Sequence, residues 1–217
     1  MVGGRTSAYV FVVLLCCLSC GTVASVRPLG QGRKAVSFSF GGPVTSVYDV
    51  DVPVPYSVIR LTYGLSKDTD LHFGVHPTMS LLANAGIDIG LSKHLTTESG
   101  LRPALCLGAS LYGFCHINEF SSARVYPGIS LIGSYAFFRS HNLLYFGAHA
   151  LMQFTAPYVI LAPLVGTEVP LGEKFAINAE ALWYAPTEAS KDRVVDYTLR
   201  PFDHGAAGFA AGVSYVF

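Results

Sequence analysis

His72, His76 and Asp88 are the residues in this sequence whose types could do chemistry together, because imidazole beside carboxylate is the raw material of a general base. Their spacing decides what they could do. Both histidines fall in Leu71-His72-Phe73-Gly74-Val75-His76, where apolar residues alternate with the rest, the pattern of a strand. Residues i and i+4 of a strand share a face about 13 Å apart, so the two rings cannot hold one metal ion, and neither metal nor cofactor is expected. Asp88 sits in Ala85-Gly86-Ile87-Asp88-Ile89-Gly90-Leu91-Ser92, which alternates in the same way and places it on the matching face of a neighbouring strand. No Ser–His pair stands at a recognisable spacing, and no enzyme activity is expected.

Arg60, Arg102, His149, Glu168 and Glu180 occupy the same non-apolar face of their own segments. The simplest arrangement sets Arg60 and Arg102 against Asp88, Glu168 and Glu180, an ion-paired interior that keeps buried charge neutral.

The elements that carry these residues follow from composition and periodicity. The 217 residues are 51% hydrophobic and only 13% charged, with 14 basic residues balancing 14 acidic ones, so nothing points to nucleic acid. Alternation with period two recurs in Val36-Ser37-Phe38-Ser39-Phe40 and in Phe175-Ala176-Ile177-Asn178-Ala179-Glu180-Ala181. The uncharged stretch Leu143 to Thr167 is long enough for a bilayer helix, but it holds Pro157 and Pro163 and alternates in its first part. It reads as two strands, since an interior proline costs a helix about 3 kcal/mol.

About ten strands are expected, near 34–42, 55–65, 69–77, 82–95, 100–114, 124–138, 142–154, 159–171, 174–184 and 205–217, with eight as the alternative if a terminal hairpin is misread. Short links at 66–68, 96–99, 139–141 and 172–173 alternate with longer ones, an asymmetry typical of transmembrane β-barrels. An even strand count sets both termini on one side, read as periplasmic. The fold class is therefore all-β, an antiparallel up-and-down transmembrane barrel over residues 34–217. Lipid-facing aliphatics predict that Ile89→Arg is costly, whereas Gly90→Ser on the opposite face should be mild.

The N-terminus reads as a signal peptide over 1–19, with Arg5 before the apolar run Ala8 to Leu18. Two cleavage readings stand: after Thr22-Val23-Ala24, or before Cys20, where Leu18-Ser19-Cys20-Gly21 resembles a bacterial lipobox, apart from Cys17 in place of its usual aliphatic residue. The second makes Cys20 the lipidation site and 20–33 a tether. Cys106 and Cys115, nine residues apart on one strand, are too distant to bridge.

In the last strand Phe209, Ala211, Val213, Tyr215 and the terminal Phe217 share a face. This resembles the C-terminal signature of bacterial outer-membrane β-barrels. The resemblance implies residence in the outer membrane, contact with its lipids, and reading of Phe209, Val213, Tyr215 and Phe217 by the barrel assembly machinery. Resemblance to the omptin proteases and lipid A deacylases goes no further than architecture. The charged segment 186–204, with Glu188, Lys191, Asp192, Arg193, Asp196 and Arg200, reads as an outer loop able to meet a surface ligand, and Trp183 and Tyr184 before it as part of an aromatic girdle. The function expected is structural, adhesive or surface-binding, with a lumen filled by side chains; a narrow passage for small solutes is the alternative.

Overall fold

The structure, a computed structural model, describes residues 26–47, 50–53, 56–81, 83–137, 142–189 and 197–217. The segment 1–19 read as a signal peptide, Cys20 and the charged residues Lys191, Asp192, Arg193 and Asp196 lie outside them. The strands are β1 (Lys34–Val47), β2 (Val50–Pro53), β3 (Ser57–Gly64), β4 (Thr69–Val75), β5 (Asn84–Thr96), β6 (Ala104–His116), β7 (Glu119–Phe137), β8 (Asn142–Met152), β9 (Val159–Leu171), β10 (Phe175–Ala189) and β11 (His204–Val216). A short helix α1 (Pro77–Leu81) links β4 to β5. Each strand pairs antiparallel with the next, β1 skips β2 to reach β3, and β11 returns to β1, closing a ten-stranded barrel from which the β1–β2 hairpin projects.

Strict alternation builds this wall. A strand sends successive side chains to opposite faces, so Ile87, Ile89 and Leu91 point outward while Asp88, Gly90 and Ser92 point inward. Across strands the row Leu61, Phe73, Ile89 and Leu111 stands in register outside, with Leu61 52% and Ile89 50% exposed. A soluble barrel would invert this arrangement. Lys93 is a cation on the same outer face, and its Nζ lies 2.7 Å from Asp68 Oδ2 in the β3–β4 turn. That bond, with a second from the Ser66 hydroxyl, holds the Asp68 carboxyl well below the usual carboxylate range.

One rim, the near rim, holds the start of β1, the end of β11 and the β3–β4, β5–β6 and β9–β10 connections; the far rim holds α1, the two-residue β6–β7 turn and the β8–β9 connection. Residues 26–33 are built into the near rim. Val26 is buried in an apolar cluster with Cys106, Ile132, Tyr145, Leu164 and Leu182, Arg27 Nη2 meets Glu98 Oε2 at 2.5 Å, and the Leu29 amide donates to Asp70 Oδ2 at 3.1 Å. The Arg27 bond and a backbone donor from Ala136 keep the Glu98 carboxyl below its ordinary range. The stretch expected to be a tether thus becomes part of the barrel's mouth where it is described.

Candidate functional site in the barrel lumen

The inward residues divide the lumen into two walls. On β3 to β6, Asp88 is fully buried and accepts from Arg60 Nη2 at 3.0 Å and from His76 Nε2 at 3.0 Å, while His72 Nε2 stands 3.7 Å away. The other His72 contact is Ser110 Oγ at 3.2 Å, on the same ring nitrogen. His76 Nδ1 is hydrogen-bonded to the Tyr56 hydroxyl, and the His76 ring stands edge-on to Phe114. A phenol, an imidazole and a carboxylate therefore form a chain that can pass a proton, with Arg60 fixing its acidic end. Gly74 makes room for it, because a Cβ there would overlap the Asp88 carboxylate. Sequence spacing kept the two histidines apart; they converge because Asp88, one strand over, presents a separate oxygen to each ring.

The facing wall, β8 to β10, works differently. Tyr145, wholly buried, donates to Glu180 Oε1 at 2.9 Å, and Asn178 Nδ2 donates to Glu168 Oε2 at 2.8 Å. Neither glutamate takes Arg60 or Arg102, against expectation. Arg102 is displaced from the lumen altogether: it is exposed in the β5–β6 turn and bridged to Ser99. The reason is local, since Pro103 has no N–H for a ladder and β6 starts only at Ala104. His149 does face inward, and its buried Nε2 has no partner among the described residues.

Apolar inward residues went unnoticed in the alternation. Ile132, Leu164 and Leu182 are buried on β7, β9 and β10, each on the face read as polar. Each is an apolar residue set in a face that also carries Ser130 and Ser134 on β7, Glu168 on β9, or Asn178 and Glu180 on β10, so simple alternation does not separate it.

The lumen is filled in part, where Val26 packs against the inward Ile132, Tyr145, Leu164 and Leu182, and beside that cluster a cavity of about 690 Å³ is lined from Glu173 and Lys174 at the near rim to Tyr56 and Phe114 toward the far one. Two causes account for it. Ten strands enclose more than the eight that side chains just fill, and inward positions such as Gly108, Ser110, Ser130 and Ser214 are small. Gly90→Ser is also corrected, because a Cβ at Gly90 would stand 2.5 Å from the Ala109 carbonyl oxygen and 2.6 Å from His72 Nε2.

At the seam, Phe209, Val213 and Phe217 are exposed on the outer face. Tyr215 packs between Phe175, at 4.7 Å, and Phe217, at 5.1 Å between ring centroids. Trp183 also faces out and donates to the His204 carbonyl at 2.8 Å, whereas Tyr184 turns inward to the cavity, so of the two only Trp183 stands on the outer face, where an aromatic girdle is expected. Cys106 and Cys115 form no bridge with each other, and Cys106 Sγ lies 3.8 Å from His94 Nε2.

No protein-family model and no curated protein sequence matches the chain. Among solved structures it is similar to an outer membrane channel from Pseudomonas putida F1, at 11% identity over 90% of this chain and 98% of that one, with a TM-score of 0.49. It is also similar to the outer membrane protein OprG from Pseudomonas aeruginosa, at 9% identity over 89% and 99% of the two chains and a TM-score of 0.33. The attachment invasion locus protein Ail of Yersinia pestis matches at 14% identity over 86% and 99%, with a TM-score of 0.30. These are bacterial outer-membrane proteins, and the resemblance to them is one of fold.

Proposed function

We propose that the chain is an outer-membrane barrel that carries small solutes through its lumen, with both termini on the periplasmic side. The cavity of about 690 Å³, lined from rim to rim, is the observation that supports this. Its size falls among ordinary small-ligand pockets, roughly 300–1,000 Å³, and is far below the aqueous bore of a wide porin. The apolar outer face requires a lipid surrounding, because exposing whole rows such as Leu61, Phe73, Ile89 and Leu111 to water is costly. In this reading the Asp88 cluster is structural. It stiffens one wall of the passage, and no substrate is turned over there. Residues 26–33 narrow the near mouth and set the size limit for what enters.

The test is reconstitution of the purified protein in planar bilayers and in vesicles. Stable unit conductance together with swelling of vesicles in a small sugar is expected. Silence in both assays would overturn the proposal and return the protein to a structural role.

A further inference from the structure

His149 is a polar group of the lumen that the passage reading leaves unused. Its ring lines the cavity, and its Nε2 is buried without a partner among the described residues. An unpaired polar atom inside a wall is costly. In either neutral tautomer the imidazole carries one N–H, so it can donate to an acceptor brought into the lumen.

Strand order decides what faces it. In the ring of ten, β8 stands five places from β3 whichever way the strands are counted, so His149 lies across the barrel from Arg60. Register fixes the height as well. Followed through β4, β5, β6 and β7, the row of Arg60 runs by Gly74, Asp88, Tyr112 and Tyr126 and meets β8 two residues beyond Leu151. Followed the other way through Ser37, Ser214, Ala176 and Pro170, it meets β8 two residues short of Leu143. Rows climb round the barrel because the strands tilt, so the residue at the height of Arg60 is the one midway, Gly147. His149 is the next inward residue, and the charge of Arg60 is felt there, as it is at His72 and Tyr112.

The space between the two is open. The wall of β5 to β7 carries Ser92, Gly108, Ser110, Gly128 and Ser130 at its inward positions, residues too small to span the lumen. Arg60 also shows more of itself than its counter-ion does, with its side chain 14% exposed against 0% for Asp88. A solute at contact therefore meets the guanidinium and not the carboxylate behind it. The acids that line the cavity, Asp70, Glu168 and Glu173, stand toward the near rim, and the first two are engaged by the Leu29 amide and by Asn178. From the far rim down to Arg60 and His149 no acid is among the described lining residues. That stretch presents Tyr56, Tyr112, Phe114, Leu151 and Ile160.

We propose that Arg60 and His149 form a binding point for a small organic carboxylate entering from the far rim, its oxygens taking hydrogen bonds from both and its carbon body lying against the aromatic and aliphatic residues above them. The proposal rests on the passage reading and names the class of solute that the passage selects. A guanidinium has five N–H groups, so holding Asp88 does not preclude a second acceptor. A cation meets no acid at this point, and a neutral amide forgoes the charge-assisted bond.

Benzoate is the probe, with benzamide as its neutral counterpart and benzylammonium as the cation. Each is titrated against the chloride conductance of the purified protein in planar bilayers, after far-UV circular dichroism has shown that every variant is folded. Benzoate is expected to block at concentrations where neither control does. Its half-blocking concentration should rise several-fold in His149→Ala, and likewise in Arg60→Met made together with Asp88→Ala so that no charge is left buried alone. His149→Gln, which keeps an N–H, should recover part of the block. Equal block by benzoate and benzamide, or a benzoate block unmoved in both variants, would overturn the binding point and leave the passage standing. A wild type that neither conducts nor swells vesicles in arabinose would mean that the passage has failed, and the binding point with it.

Discussion

A cation moved along the outer face of β5 should report the depth of the bilayer residue by residue. Lys93 already occupies one such position, held by Asp68 at 2.7 Å, so the wall tolerates a cation there. Ile89 lies four residues away on the same face, about 13 Å along the strand, and a strand tilt near 40° makes that about 10 Å of height. Its neighbours across the wall are Phe73 and Leu111, both apolar. Arginine at the midplane of a barrel costs about 2–4 kcal/mol, falling to about 0–1 near the interfaces. Ile89→Arg should therefore lose about 3 kcal/mol, Leu91→Arg about half of that, and Lys93→Arg close to nothing, on the same depth scale. Ser37→Ala, on the inner face of β1, serves as a mild control in place of any glycine of the crowded β5–β6 wall. Urea titration of folding into lipid vesicles, followed by intrinsic fluorescence, measures each difference. Equal stability at all three positions, or a gradient running the other way, would refute the membrane placement of the outer face.

Asp88→Ala removes the carboxylate that Arg60 and His76 share, and breaking a buried pair of this kind costs about 3–5 kcal/mol; a double variant with Arg60→Met should recover much of the loss in the same titration. Glu180→Ala leaves the buried Tyr145 hydroxyl without its acceptor, for a loss of about 1–3 kcal/mol. The Asp68 carboxyl is held below its ordinary range by Lys93, so its contribution is full above the unfolded carboxylate value near 3.9 and fades as the pH falls through the lower folded value. The destabilisation by Asp68→Asn should thus be present at neutral pH and shrink in strong acid. Val26→Glu puts a charge into the apolar cluster that holds residues 26–33; faster proteolysis of that segment and a larger unit conductance are expected, and unchanged conductance would show that the segment does not limit flow.

Strand order and the faces of the strands were legible because each apolar run alternates cleanly, and β9 falls on the expected 159–171 without displacement. The lumen was less legible. Alternation sorts residues between two faces but says nothing of which inward groups meet, since that depends on stagger between strands. Hence Asp88 found Arg60 and both histidines, while Glu168 and Glu180 found Asn178 and Tyr145. Arg102 was misplaced because alternation runs unbroken through Pro103, whose missing N–H delays the ladder.

The seam between β1 and β11 joins Ala35 to Val216 and Pro43 to Gly208, whereas the other wall pairings connect strands adjacent along the chain, apart from the β2 detour between β1 and β3. Loop closure over that distance costs about 5 kcal/mol of chain entropy by the logarithmic law, against far less for any hairpin. The seam is then the contact with the greatest sequence separation, the kind that sets the pace of folding. Hairpins can accumulate early, but until Gly41 and Gly42 come together with Gly208 and Ala210 the sheet has two open edges, which hydrocarbon does not tolerate. Insertion and closure are therefore bound into a single event. Altering the seam glycines should change the speed of folding into lipid more than the speed of unfolding.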